Sequence, residues 1–173
     1  MYILLCHSSP NKIINQKNLA KMATMKTVTS KWKECIVRYE KTIDDGTQKK
    51  VKEIYVVDAL SFTEAEARIT EEMKSYISGD FEVVNINPTQ YNEIMFSDDP
   101  AADKWYKARL QFITIDERTE KEKRTNVYYL CQASSFENAR ANIVQVMSST
   151  MIDYVIAKVE ETSFMDVFVH NRE

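Results

Sequence analysis

Apolar and polar residues alternate with a period of two over residues 34–40, where Cys35, Val37 and Tyr39 are interleaved with Glu34, Ile36, Arg38 and Glu40. This is the signature of a strand with one buried face. Asp44-Asp45-Gly46 then predicts a hairpin turn, because Gly supplies the positive φ that such turns need, and a return strand follows from about Lys50 to Ala59. At Ser61 the period changes. Ser61-Phe62-Thr63-Glu64 reads as a capping box, in which the Ser hydroxyl takes an orphan backbone donor and the Glu reaches back. Phe62, Ala65, Ile69, Met73 and Ile77 fall on one helical face, with Glu64, Arg68, Glu71, Glu72 and Lys74 turned away. Phe81 to Ile86 supply the next strand, and the apolar ending Ile94-Met95-Phe96 is able to add an edge strand.

The same pattern then comes again. Trp105 lies 73 residues beyond Trp32, and Tyr129, Ala133, Ser135, Phe136, Ala139, Ile143 and Met147 each lie 74 beyond Tyr55, Ala59, Ser61, Phe62, Ala65, Ile69 and Met73. A constant offset with length changes only at turns is the mark of an internal duplication. The second stripe is Phe136, Ala139, Ile143, Met147 and Met151, the second late strand Tyr154 to Val159, and the second ending Val167-Phe168. The hairpin differs, running longer and charged from Asp116 to Arg124. The expected fold is α+β: two tandem ββαβ repeats, residues 31–96 and 104–168, forming a pseudo-twofold antiparallel sheet with two helices on one face; one continuous sheet and two stacked sheets are both compatible with the pattern. Residues 97–103 form an acidic junction and 169–173 a tail. Either repeat alone buries a thin core, so the two are expected to pack together.

Charge is unevenly placed. Residues 1–30 carry four basic and no acidic residues, the first repeat nine against thirteen, the junction none against three, and the second repeat nine against nine. Neither repeat has the basic excess of a general nucleic-acid binder. The first thirty residues lie outside the duplication and read as a poorly ordered arm, or as an over-extended start with translation beginning at Met25. No apolar run approaches the roughly 20 residues of a membrane span. Cys6, Cys35 and Cys131 have no close spacing, and His7 and His170 lie at opposite ends. Free thiols in a reducing, cytoplasmic setting are therefore expected, with no metal and no cofactor.

Candidate chemistry concentrates on the sheet face away from the helices. Strand parity places Trp32, Ile36, Ile54 and Val56 there, with Trp105, Ile113, Tyr128 and Leu130 in the second repeat and Arg38, Lys107, Arg109 and Gln111 among them. The candidate binding surface is accordingly Trp32, Ile36, Arg38, Trp105, Lys107, Arg109 and Tyr128. An apolar sheet face points first to protein association, either the repeats covering each other or a homo-oligomer. The alternative is an aromatic platform for single-stranded nucleic acid. Two corresponding carboxylate pairs, Glu93 with Asp166 and Asp80 with Asp153, could converge as acid and base. The simpler reading makes Asp80 and Asp153 turn residues. No nucleophile elbow, phosphate loop or dinucleotide fingerprint occurs, so no enzymatic activity is expected and a carboxylate-dependent enzyme ranks third.

The segments Lys31-Trp32 through Arg38-Tyr39-Glu40-Lys41, Tyr55-Val56-Val57-Asp58-Ala59-Leu60-Ser61-Phe62-Thr63-Glu64-Ala65-Glu66-Ala67-Arg68, Phe96-Ser97-Asp98-Asp99 and Asp153-Tyr154-Val155-Ile156-Ala157 resemble an uncharacterised domain-of-unknown-function family. That family occurs in gut anaerobic bacteria, their mobile elements and phages. The resemblance spans about residues 29 to 168 and carries over no activity, substrate or catalytic residue. It implies a phage or mobile-element setting for a non-enzymatic binding or adaptor protein.

Overall fold

The computed structural model describes residues 31–169. The basic arm, with its alternative start and His7 and Cys6, and the tail beyond Val169 lie outside the described residues. The elements run β1 (Lys31–Thr42), β2 (Gln48–Ala59), α1 (Phe62–Tyr76), β3 (Phe81–Pro88), β4 (Tyr91–Met95), β5 (Lys104–Asp116), β6 (Lys121–Ala133), α2 (Phe136–Met147), β7 (Tyr154–Glu161) and β8 (Phe164–Phe168). The fold is α+β, and among the described residues no helix is long and apolar enough to cross a membrane.

The single antiparallel sheet is not what forms. Among the described residues two four-stranded sheets are present, ordered β3-β1-β2-β8 and β4-β6-β5-β7. Each is mixed, because β8 pairs parallel to β2 and β4 pairs parallel to β6. The short apolar endings of the two halves are therefore exchanged, each completing the sheet of the other half. The crossings are anchored at the two tryptophans. Thr89 donates its backbone N–H and its hydroxyl to the Trp32 carbonyl, both at 3.1 Å. Thr162 does the same to the Trp105 carbonyl, both at 2.8 Å.

Nor do the helices share a face. Helix α1 covers the first sheet over Cys35, Val37, Tyr55, Val57 and Ala59 with its Ala65, Ile69 and Met73. Helix α2 covers the second over Tyr106, Ala108, Leu110, Tyr129 and Cys131 with its Ala139, Ile143 and Met147. A third core lies between the sheets, built from Trp32, Val56, Tyr91, Ile94, Trp105, Leu130 and Val167. The layers thus run helix, sheet, sheet, helix. With two mostly apolar faces available to each sheet, stacking the helix-free faces removes both from water at about 25 cal/mol per Å².

Local sequence explains where the helices begin and end. Ser61 Oγ accepts from Glu64 N at 3.1 Å, while the Glu64 carboxylate reaches past the cap to Leu60 N at 2.7 Å. At the second helix Ser135 Oγ accepts from Asn138 N at 3.2 Å. Both stripes hold in their centres, and Ile77, the C-cap of α1, also packs on the first core. Phe62 and Phe136 are about half exposed at the first turn, and Met151 lies fully exposed beyond the end of α2. The helix stops early because the hydroxyls of Ser148, Ser149 and Thr150 donate to the carbonyls of Gln145, Val146 and Met147, each at 2.7 Å. Such side-chain bonds compete with helix continuation.

Candidate functional site: a basic cleft between the sheets

On the inner face of the second sheet the apolar core gives way to charge. Lys107 and Arg109 follow Trp105 on β5 with inward parity, and the register sets Lys107 opposite Leu130 and Glu160, and Arg109 opposite Tyr128 and Lys158. Lys107, Arg109, Tyr128, Lys158 and Glu160 line a cavity of about 210 Å³.

The approach of Lys158 depends on a bulge. The β5–β7 register shifts between Arg109, opposite Lys158, and Leu110, opposite Ile156, leaving Ala157 unopposed. Residues two apart on a regular strand share a face. The extra residue instead sends Ile156 into the α2 core and Lys158 into the cleft. The first sheet has its bulge at the matching place, between Ile36 and Val37, with Asn85 and Val83 as the opposed residues. There the matching positions hold Glu34, Ile36, Asn85 and Asn87, none of them cationic.

Each charge in the cleft has a different degree of compensation. Lys107 Nζ sits 5.6 Å from the Tyr91 ring centroid and 5.4 Å from that of Tyr128, a double cation–π contact. The Tyr91 hydroxyl in turn donates to Glu34 Oε1 on the opposing sheet at 3.3 Å. Burial, with the nearby Glu34 carboxylate, pushes the Tyr91 hydroxyl well above its ordinary pKa. Lys158 is paired with Glu160. The hydrogen bond from Lys158, with the fields of Lys107 and Arg109 behind it, holds the Glu160 carboxyl below the usual range. Arg109 is the exception. Its Nε is buried without a hydrogen-bond partner, and it forms no ion pair among the described residues.

The cleft gathers three of the seven residues singled out from the sequence, Lys107, Arg109 and Tyr128. Trp32 and Trp105 are 8% and 2% exposed within the inter-sheet core, and the Phe96 and Trp105 rings meet nearly perpendicular with centroids 5.5 Å apart. The face they occupy is therefore covered by the other sheet and presents no open aromatic platform. Ile36 is half-buried, and Arg38 is exposed and paired with Glu82. Sequence reasoning missed Lys158 and Glu160. The available signal was the apolar spacing on β7, where Tyr154, Ile156 and Val159 step by two and then three, as Phe81, Val83 and Ile86 do on β3.

The paired carboxylates do not converge. Glu93 is registered beside Tyr129 on the second sheet and Asp166 beside Tyr55 on the first, each tyrosine belonging to a helix-side core. The two acids thus lie on opposite sides of the sandwich, and neither lines the cleft. Burial raises the Glu93 pKa. Asp80 and Asp153 are exposed, and the Asp153 carbonyl accepts from Ile113 N at 2.8 Å. Cys35 and Cys131 are buried free thiols under different helices, pushed by burial to pKa values of about 12 and about 11.

No curated protein matches the chain. Residues 31–170, which take in every described strand and helix, match the sequence profile of a domain of unknown function, DUF4494. The chain belongs to the DUF4494 family.

Proposed function

We propose that this is a non-enzymatic binding or adaptor protein whose receptor site is the cationic mouth of the cleft between its sheets. The observation that carries the reading is the direct cross-strand opposition of Arg109 and Lys158. Like charges in that position are destabilising, and beside a cavity they favour an anionic partner. The chain reads as a tandem duplication of ββαβ units about a pseudo-twofold axis. Support comes from the matched strand orders, the serine caps and the threonine-to-tryptophan anchors. In that reading one half kept neutral and acidic residues where the other became basic, leaving a single site. Two buried free thiols support a reducing, cytoplasmic setting. The family resemblance supports a phage or mobile-element context. The single-stranded nucleic-acid alternative loses its aromatic platform with Trp32 and Trp105 buried.

The test is binding of a fluorescent poly-glutamate peptide at low salt, followed by anisotropy. The expected result is saturable binding that weakens as salt rises, is lost in the double variant Arg109→Met, Lys158→Met, and survives in Lys121→Met, Lys123→Met on the exposed hairpin. Equal binding by both variants overturns the assignment of the site.

A further inference from the structure

We infer that the cleft seats the phosphoryl group of a small phosphate monoester; this rests on the cleft being the binding site, as proposed above. Lys107, Arg109 and Lys158 set against Glu160 leave the lining with a net charge of +2. A phosphate monoester carries about −1.5 to −2 at neutral pH, which matches that excess, whereas a carboxylate or a phosphodiester leaves a cation uncompensated. Arg109 supplies the donor geometry. A guanidinium presents a planar fork suited to oxyanions, and Arg109 lines the cleft while forming no ion pair among the described residues. Lys107 is restrained between the rings of Tyr91 and Tyr128, so one cation is held in place before a ligand arrives, while Lys158 is exposed and paired with Glu160.

Size selects a headgroup. At about 210 Å³ the cavity is smaller than the roughly 300–1,000 Å³ of pockets that enclose whole drug-sized ligands. It takes one tetrahedral group and leaves the rest of the molecule at the mouth. The matching positions of the first sheet, Glu34, Ile36, Asn85 and Asn87, carry no cation, so among the described residues the duplicated geometry offers one such seat.

The experiment is a titration of the full chain with phenyl phosphate at constant ionic strength, read by 1H–15N NMR. Saturable shifts are expected at the Arg109 Nε–H and at the amides of Lys107, Arg109, Tyr128 and Lys158, tightening as pH rises from 5 to 7.5 because the second phosphate ionisation lies near 6. Arg109→Gln is expected to weaken binding at least tenfold while Arg118→Gln, on the exposed hairpin, leaves it unchanged. Should Arg109→Gln lose its dispersed spectrum, Lys158→Met provides the same comparison. Shifts that match those from added chloride, or equal affinity for a dinucleotide phosphodiester, overturn the inference. If poly-glutamate moves these signals and phenyl phosphate does not, the phosphoryl assignment falls and the cleft stands. If neither moves them, both fall.

Discussion

Arg109 and Lys158 stand directly opposite each other across the β5–β7 ladder, immediately before the bulge at Ala157, with the Arg109 Nε buried and without an acceptor. Directly opposed like charges cost roughly 0.2–1 kcal/mol, and an unsatisfied buried donor costs about 1–3 kcal/mol. Arg109→Met, which keeps most of the side-chain volume, is therefore expected to stabilise the anion-free protein by about 1 kcal/mol. The midpoint of urea unfolding measures this directly. A loss of stability in phosphate-free buffer shows instead that the guanidinium has a structural partner.

Much of the architecture was legible because it is written in local periodicities. The alternation at Cys35, Val37 and Tyr39 and the Ala65, Ile69 and Met73 stripe depend on neighbours along the chain, and each element formed where those patterns lay. What the sequence could not disclose was pairing between distant segments. Ile94-Met95 and Val167-Phe168 are apolar endings in either topology, and nothing in five residues states which sheet they join. The site was half legible for a related reason. Lys107, Arg109 and Tyr128 follow simple parity from the tryptophans. Lys158 enters only because a bulge resets the face of β7, a feature visible in the stepping of Tyr154, Ile156 and Val159 once the ladder is known.

The two hairpins predict opposite responses to glycine. Gly46, at φ 80°, closes the β1–β2 turn, and a Cβ there meets no neighbour, so Gly46→Ala tests backbone conformation alone. At the β5–β6 turn the left-handed residue is Glu120, at φ 54°. The left-handed region costs a side-chain-bearing residue roughly 1–2 kcal/mol, part of which is returned as chain entropy when Gly is introduced. Gly46→Ala is expected to lower stability by about 1 kcal/mol and Glu120→Gly to raise it by about 0.5 kcal/mol. Thermal melts of the two variants give the signs. A destabilising Glu120→Gly shows that the Glu120 side chain holds the turn.

Alkaline pH is expected to unfold the protein through groups kept neutral by burial. Cys35 is raised from 9.0 to about 12 and Cys131 from 9.0 to about 11, both chiefly by desolvation. Tyr39 is raised from 10.0 to about 12 by desolvation and by its hydrogen bond to Glu53, which also accepts from Tyr55 at 2.7 Å. The folded state holds these protons more tightly than the unfolded chain. The stability they contribute is complete below pH 9 and declines as pH rises from 9 towards 12, since the unfolded chain ionises first. Denaturant midpoints should hold between pH 8 and 9 and fall steadily from 9 to 11, and Cys35→Ala with Cys131→Ala should flatten the earliest part of that decline. The thiols should also resist alkylation at pH 8 until denaturant is added. Ready labelling of Cys35 or Cys131 in the native protein, located by peptide mapping, excludes their burial.

The exchange of β4 and β8 makes the two halves interdependent in a way that separate ββαβ units are not. A fragment of residues 31–98 keeps three strands of the first sheet, and its β4 is built to pair with β6, which it lacks. It also exposes Trp32, Val56, Tyr91 and Ile94 from the inter-sheet core. Removing β8 alone deletes Phe164, Val167 and Phe168, the last stacked on Tyr55 at 5.7 Å. At about 1.5–3 kcal/mol for each large apolar side chain, that loss is comparable with the whole 5–15 kcal/mol stability of an ordinary domain. A chain ending at Glu161 is thus expected to lose its cooperative thermal transition. Neither fragment 31–98 nor fragment 99–173 is expected to fold as a monomer, whereas an equimolar mixture should regain the circular dichroism of the intact protein and sediment as one complex. A cooperatively folded monomer from either fragment means that its last strand can return to its own sheet. The exchange then ceases to be what holds the sandwich together.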